Sequence, residues 1–192
     1  AYPEIGFDIR HGGRLSLPGY YRRTKDWDLV VLHRGVLVAA IELKSQVGSF
    51  GNNFNNRTEE AMGSALDVWT AFREGAFNTS PLPFLGYFFM LEDTVGSQMP
   101  VKVREPHFSV FPEFVNASYT KRYELFCRKL VRERHYTTAA FITSQRDTGL
   151  RGEYAEPAPD LKDAILLGAA VVELGAAAKT KWGVGNGCIL AG

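Results

Sequence analysis

The distribution of apolar positions along the chain predicts a buried sheet. Residues 29–32 and 36–41 are apolar runs, and the segment 33–35 between them ends in glycine, so we predict two antiparallel strands joined by a tight turn. The second run is apolar at every position, which indicates a strand buried on both faces. Residues 84–91 form another run of this kind and predict a further central strand.

Apolar residues at helical spacing predict two helices. Asn56 followed three positions later by Glu59 resembles a helix start, and the pattern continues to about Glu74. Ser118 begins the second helix. The apolar stripes consist of Met62, Ala65, Leu66, Trp69 and Phe72 in the first helix, and of Tyr119, Tyr123, Phe126, Leu130 and Val131 in the second. The order strand, helix, strand favours parallel pairing of the strands on either side of the first helix.

The ends of the chain complete the predicted architecture. Residues 137–143 read as a strand, and residues 145–160, rich in Gly, Pro and charge, as a loop. Residues 161–178 predict a helix that is apolar nearly all round, which favours core packing slightly over a seam between two subunits. Residues 1–13 contain no clear element. We therefore expect one α/β domain over residues 1–192, with a central mixed β-sheet flanked by helices.

Composition narrows the class of protein. The 192 residues are 45% hydrophobic, enough for one sizeable core. The net charge of +1 excludes a broadly polycationic protein, so any nucleic-acid surface must be local. Two cysteines, Cys127 and Cys188, are too few for a disulfide scaffold. The sequence has no apolar run of membrane-spanning length and no signal peptide, so we expect a cytoplasmic protein with no membrane anchor.

Three charged residues, Asp28, Glu42 and Lys44, lie at the ends of the first two apolar runs. Glu42 and Lys44 follow the strand at 36–41, and Asp28 precedes its partner strand, so a hairpin would bring all three side chains together. Alternation places Glu42 and Lys44 on one face while Leu43 points into the core. Two carboxylates and the Leu43 carbonyl are oxygen ligands of the kind that Mg²⁺ prefers. A structural ion pair is the alternative, and Asp26 is a rival to Asp28.

These residues resemble a known signature. Asp28 followed by Glu42-Leu43-Lys44 is similar to the signature of the PD-(D/E)XK nucleases, with Trp27 where that signature has proline. The wider resemblance, over about residues 14–135, is to the XhoI group of type II restriction endonucleases. It is carried by residues 17–22, 40–48, 49–57, 59–61, 106–114 and 123–130.

The resemblance implies a fold and an activity. The fold is a restriction-endonuclease-like three-layer sandwich. The activity is cleavage of double-stranded DNA at a short palindrome, CTCGAG cut after the first base, by a Mg²⁺-dependent homodimer in a bacterium or archaeon. A methyltransferase acting on the same site is implied as well. Two alternatives are a repair or junction-resolving nuclease of the same fold and a catalytically silent DNA-binding module.

The resemblance also suggests roles for single residues. Asp28, Glu42 and the Leu43 carbonyl would hold Mg²⁺, and Lys44 would orient the attacking water. Glu59 and Glu60 are candidates for a supporting or second-metal role, although favourable contact with a helix dipole is the plainer interpretation. Residue chemistry and charge clustering, apart from the resemblance, give the candidates for DNA contact, for which turn formation by the asparagines and an ordinary solvated basic face are the alternatives. On a predicted glycine-rich loop and in a basic cluster, these candidates are Gln46, Asn52, Asn53, Asn55, Asn56, Arg57, Arg22, Arg23 and Lys25.

Overall fold

A five-stranded mixed sheet forms the centre of the fold in the computed structural model, which describes residues 7–13, 15–33, 35–78, 80–105 and 107–161. The sheet strands are β1 (Phe7–His11), β4 (Leu29–His33), β5 (Val36–Gln46), β6 (Phe84–Glu92) and β7 (Thr138–Ser144), and a separate hairpin contains β2 (Ser16–Pro18) and β3 (Thr24–Asp26). The sheet order is β1-β4-β5-β6-β7, antiparallel from β1 to β5 and parallel from β5 to β7. The predicted hairpin around residues 33–35 and the predicted parallel pairing are both confirmed.

Two long helices cover one face of this sheet. These are α1 (Phe50–Arg73) and α3 (Tyr119–Arg132). The described residues also contain two short helices, α2 (Val95–Gln98) and α4 (Arg146–Gly149), and a 3-10 turn at Pro112–Phe114. The main core lies between the sheet and α1 and α3, and a smaller apolar cluster lies on the opposite face around Ile41 and Phe88. The predicted α/β sheet with flanking helices is confirmed. The helix predicted at 161–178 lies outside the described residues, except for its first residue.

Strand β5, which contains Glu42 and Lys44, is the central strand of the sheet. Leu37, Ala39, Ala40 and Ile41 are all buried, as predicted for a strand covered on both faces. The α3 helix begins after Ser118, whose hydroxyl accepts a hydrogen bond from the Lys121 N–H, also as predicted. Among the described residues, no helix is both long and apolar enough to cross a membrane.

The start of helix α1 differs from the prediction. We predicted a glycine-rich loop up to Asn56, but the helix begins at Phe50, directly after Ser49 in the left-handed region (φ 45°). Residues 52–57 therefore form the first turns of α1. The prediction was wrong because asparagine propensity is a weak signal that tertiary packing overrides.

Aromatic contacts supply that packing. Phe50 and Phe54, one helical turn apart, pack against Tyr119 and Tyr123 of α3, with ring centroids 5.8 and 5.0 Å apart. The two helices are thus joined at their N-terminal ends.

The N-terminal segment also differs from the prediction. Residues 7–11, expected to contain no element, form edge strand β1, which pairs antiparallel with β4. Ile9 of β1 packs with Val31 on the smaller apolar cluster, while Asp8 and Arg10 pair with each other at the surface. An edge strand with so short an apolar pattern gives a periodicity too weak to detect. The loop predicted at 145–160 is interrupted only by the single turn α4 and by one bridge between Thr143 and Ala155.

The aromatic contact between α1 and α3 leads to a stability prediction. Phe54→Ala is expected to lower the free energy of unfolding by about 2 kcal/mol, because it removes a partly buried ring from the main core. Urea unfolding followed by circular dichroism measures this loss. The control Phe108→Ala, at an 89% exposed position, is expected to change stability by less than about 0.5 kcal/mol. Equal stability of Phe54→Ala and the original chain would contradict the role of this contact.

Candidate active site

The register of the β4–β5 hairpin places the two predicted acidic residues opposite each other. Leu29 pairs with Ile41, so Asp28 lies across from Glu42 at the next position. The Asp28 carboxylate accepts a hydrogen bond from the Leu43 N–H at 2.7 Å. Lys44 forms an ion pair with Glu42 at 2.7 Å. The structure thus brings Asp28, Glu42 and Lys44 together.

Glu42 lies at the centre of this group. Its side chain is buried (3% exposed), and each carboxylate oxygen contacts a different ammonium group: Lys25 Nζ at 2.6 Å and Lys44 Nζ at 2.7 Å. A buried carboxylate is costly unless charged partners compensate it, and here two lysines do so. Lys25 also donates to the Asp26 carbonyl at 2.8 Å and lies 4.8 Å from the centre of the Trp27 ring. Lys25, predicted as a DNA contact, is therefore held against Glu42.

Asp28 occupies a less compensated position. Asp28 is an exposed residue, but partial burial of its carboxylate is the largest cause that raises its pKa above the ordinary value; the hydrogen bond from the Leu43 N–H opposes it, and the charge of Glu42 adds to it. The charges of Lys44 and Lys25 also lower the pKa of Asp28, so two carboxylates and two ammonium groups lie together at this site.

The donor chemistry fits a magnesium ion. Mg²⁺ is usually bound by one or two carboxylates and keeps several of its waters. Asp28 and Glu42 supply that number, and among the described residues no group of three or more histidine, cysteine or acidic side chains is arranged as a metal site. Two carboxylates at one site thus match the number of protein ligands that a hydrated divalent cation such as Mg²⁺ usually takes.

A cleft of about 620 Å³ opens above Glu42 and Lys44. Helix α1 supplies one wall through Arg57, Glu59 and Glu60. Arg57 pairs with Glu60 at 3.2 Å. The two glutamates predicted to support the site thus share a cleft with Glu42, as does Arg57, one of the predicted DNA contacts.

The predicted asparagine contacts lie on the first turns of α1. Asn52, Asn55 and Asn56 are exposed and Asn53 is half-buried. None of them lines the cleft as the structure describes it. The exposed asparagines thus lie outside the cleft, on the same helix as Arg57.

Gln46 has a different environment from these asparagines. It is buried, its amide N–H donates to the Gly48 carbonyl at 3.1 Å, and its carbonyl oxygen accepts from the Tyr123 hydroxyl. Both ends of the amide are used inside the protein. The side chain is thus unavailable to a DNA base in this conformation.

Asp67 of α1 is a residue that the sequence analysis missed. Its buried carboxylate pairs with Arg22 at 2.7 Å, and Arg22 also reaches the Ser64 hydroxyl at 3.3 Å. Burial opposes ionisation of Asp67, but hydrogen bonds from the backbone N–H groups of Tyr21 and Tyr20 and from Arg22 outweigh it and lower its pKa. Asp67 lies on the opposite side of the helix from the predicted apolar stripe, so no signal in the sequence indicated its burial. The face that the structure buries contains Ala61, Ala65 and Val68, whereas Met62 and Leu66 are exposed. Arg23, next to this ion pair, is exposed.

The mixed sheet and the carboxylate–lysine group on it are those expected of a nuclease of the restriction-endonuclease type. Residues 6–156 match the family described as restriction endonuclease XhoI. The chain belongs to the XhoI restriction endonuclease family, whose members are type II restriction enzymes and hence site-specific deoxyribonucleases. The predicted resemblance is confirmed, and the match extends beyond residues 14–135 at both ends.

Three individual type II restriction enzymes are similar to this chain in sequence. The chain is 61% identical over 152 residues to the type II restriction enzyme BstVI of Geobacillus stearothermophilus, which covers 76% of this chain and 68% of that enzyme. It is 52% identical over 130 residues to the type II restriction enzyme XhoI of Xanthomonas vasicola (67% of this chain, 52% of the relative). It is 60% identical over 95 residues to AbrI of Azospirillum brasilense (49% and 43%). The chain thus spans about two thirds of the first relative and about half or less of the other two. No solved structure matches the chain.

Proposed function

We propose that this protein cuts both strands of DNA at a short palindrome in a Mg²⁺-dependent reaction. The observation that carries the proposal is the buried Glu42, held by Lys25 and Lys44 and placed opposite Asp28 by the hairpin register. The membership of this chain in the XhoI family supports CTCGAG, cut after the first base, as the recognition site. A methyltransferase acting on the same sequence would protect the host DNA in the bacterial cytoplasm.

The residues of the site have separate roles in this mechanism. Asp28, Glu42 and the Leu43 carbonyl would hold Mg²⁺, which when bound supplies a more acidic water and offsets charge on the scissile phosphate. Glu42 fixes the position of Lys44 through their 2.7 Å ion pair. Lys44 orients the attacking water and stabilises negative charge that develops on phosphorus.

Side chains of helix α1 are the proposed means of reading the sequence. Arginine binds guanine and asparagine binds adenine through paired hydrogen bonds in the major groove. Arg57 lines the cleft, and Asn52, Asn55 and Asn56 extend the exposed face of α1. The proposal gives Gln46 no base contact, because its amide is already bonded internally.

A palindromic site implies a matching symmetry in the protein. Two copies related by a twofold axis would place one Glu42–Lys44 site on each DNA strand. We therefore propose a homodimer as the active form.

The decisive experiment uses a pool of random DNA duplexes incubated with the protein and Mg²⁺, followed by sequencing of the new ends. The expected result is one recurring palindrome, CTCGAG, with no cleavage when Ca²⁺ replaces Mg²⁺. Cuts that follow DNA junctions instead of sequence would indicate a structure-specific nuclease. Tight binding without cleavage in Mg²⁺ or Mn²⁺ would indicate a silent DNA-binding module. Either of these two results would overturn the proposal.

A further inference from the structure

A turn with two exposed tyrosines lies at the rim of the cleft. Between β2 and β3, Tyr20 is 54% exposed and Tyr21 is 66% exposed. The two rings pack edge to face, with centroids 5.0 Å apart. Exposed aromatic side chains that fix each other in this way commonly mark a binding surface.

Helix α1 holds this turn in place through Asp67. One oxygen of the buried Asp67 carboxylate accepts from the backbone N–H groups of Tyr20 and Tyr21 at 2.7 and 2.8 Å, and the other accepts from Arg22 Nε at 2.7 Å. At Gly19, a Cβ atom would lie 2.5 Å from Asp67 Oδ2 and 2.6 Å from the Arg22 carbonyl oxygen. A side chain larger than hydrogen is therefore excluded at that position. The turn is fixed before any ligand arrives, which lowers the entropy cost of binding.

The surroundings of the turn indicate what it contacts. Tyr21 and Arg22 line the same cleft as Glu42 and Lys44. Arg23 is exposed directly beside them, and since Arg22 is paired with Asp67, Arg23 supplies the positive charge at this turn that suits a phosphate. Tyrosine hydroxyls donate to phosphate oxygens, and such contacts fix the position of a duplex without reading its sequence.

We propose that the tyrosine turn, residues 19–22, is a clamp for the DNA sugar-phosphate backbone beside the bond that is cut. The Tyr21 hydroxyl donates to a phosphate, the Tyr20 ring supports the Tyr21 ring, and Asp67 is a positioning residue that acts through both. The clamp holds the duplex over Glu42 and Lys44. This inference rests on the proposed function, since it requires DNA in the cleft.

The test measures binding separately from cleavage. Fluorescence anisotropy in Ca²⁺ gives the Kd of wild-type protein, Tyr21→Ala, Tyr21→Phe and Tyr20→Ala for a duplex that contains the site and for a scrambled duplex. Tyr21→Ala and Tyr21→Phe are expected to weaken binding to both duplexes about tenfold, the factor for loss of one hydrogen bond to a charged acceptor. The slope of log Kd against log salt is expected to stay unchanged, because tyrosine is neutral, whereas Arg23→Ala would lower it by about one.

Two controls separate this role from a structural one. Tyr154→Ala removes a tyrosine that is 57% exposed but does not line the cleft, and its Kd is expected to stay at the wild-type value. The melting temperatures of the Tyr20 and Tyr21 variants are expected to remain within about 2 °C of wild type, as for other exposed positions.

For the positioning residue, Asp67→Asn is expected to raise the KM for DNA far more than it lowers kcat. Wild-type Kd values for Tyr21→Ala and Tyr20→Ala, with specific cleavage intact, would overturn the clamp and leave the proposed function standing. Absence of binding and cleavage by the wild-type protein would overturn both.

Discussion

Glu42→Gln is expected to reduce the cleavage rate by at least about a thousandfold, the scale on which loss of a preorganised charged group slows an enzyme. The glutamate has two functions that glutamine cannot replace: it is a proposed ligand of Mg²⁺, and it holds Lys44 in position. The measurement is a single-turnover assay of a cognate duplex with enzyme in excess, which reports chemistry without product release.

Loss of folding must be separated from loss of chemistry in this variant. Removing the carboxylate leaves Lys25 and Lys44 facing a neutral amide, which is expected to cost about 3 kcal/mol of stability. Lys44→Met avoids this problem, because Glu42 keeps Lys25 as its partner. It is expected to lose cleavage by a similar factor while it remains folded and bound to DNA.

The matched control is a carboxylate with the same kind of partners outside the cleft. Glu124 on α3 is also held by two cations, Lys121 and Arg128. Glu124→Gln is expected to retain cleavage within a few fold of wild type. If Glu124→Gln and Glu42→Gln lost activity equally, the Glu42 site would have no special role.

Asp28→Asn is expected to abolish cleavage and, in the absence of metal, to stabilise the protein. The pKa of Asp28 is raised, chiefly by burial, so at pH between its unfolded and folded pKa values the folded state binds more protons than the unfolded state. The stability of the metal-free protein therefore falls as pH rises through that window, and the loss persists at neutral pH. Asparagine has no charge and removes this loss.

Thermal melting with and without Mg²⁺ tests this reasoning. In EDTA at neutral pH, Asp28→Asn is expected to melt above wild type, and the difference is expected to shrink at acidic pH, where Asp28 is protonated. Saturating Mg²⁺ is expected to raise the melting temperature of wild type but not that of the variant, because a ligand stabilises only a protein that binds it.

Asp26→Asn is the control that distinguishes the two rival aspartates. The Asp26 carboxylate accepts from the Ser16 hydroxyl, across the small hairpin, and we expect its replacement to leave cleavage intact. Cleavage that survived in Asp28→Asn and vanished in Asp26→Asn would transfer the metal-binding role to Asp26.

The local chain pattern predicted the geometry at the centre of the site. Two apolar runs around a glycine turn were enough to predict the hairpin, and strand alternation placed Glu42 and Lys44 on one face. These features depend on residues that are close together in the sequence, so they can be predicted from the sequence. The start of α3 at Ser118 was predictable for the same reason, since a capping residue acts within its own helix.

Features that depend on distant contacts were not predictable. The first turns of α1 are supported by Phe50 and Phe54 against residues of α3 far along the chain. Lys25 reaches Glu42, and Asp67 reaches Tyr20, only because a small hairpin folds back over the sheet and helix. In the sequence, such residues cannot be told apart from other charged residues, and only the fold shows which of them are in contact.

The double ion pair at Glu42 has a consequence for how the protein folds in a cell. In many small metalloproteins the ion holds the chain together, so that a chelator unfolds them. Here the buried carboxylate carries two counter-ions from its own chain, and its charge is balanced before any metal arrives. We therefore expect synthesis and folding to proceed independently of the divalent ion supply, with the proposed ion needed only when a phosphodiester bond is to be broken.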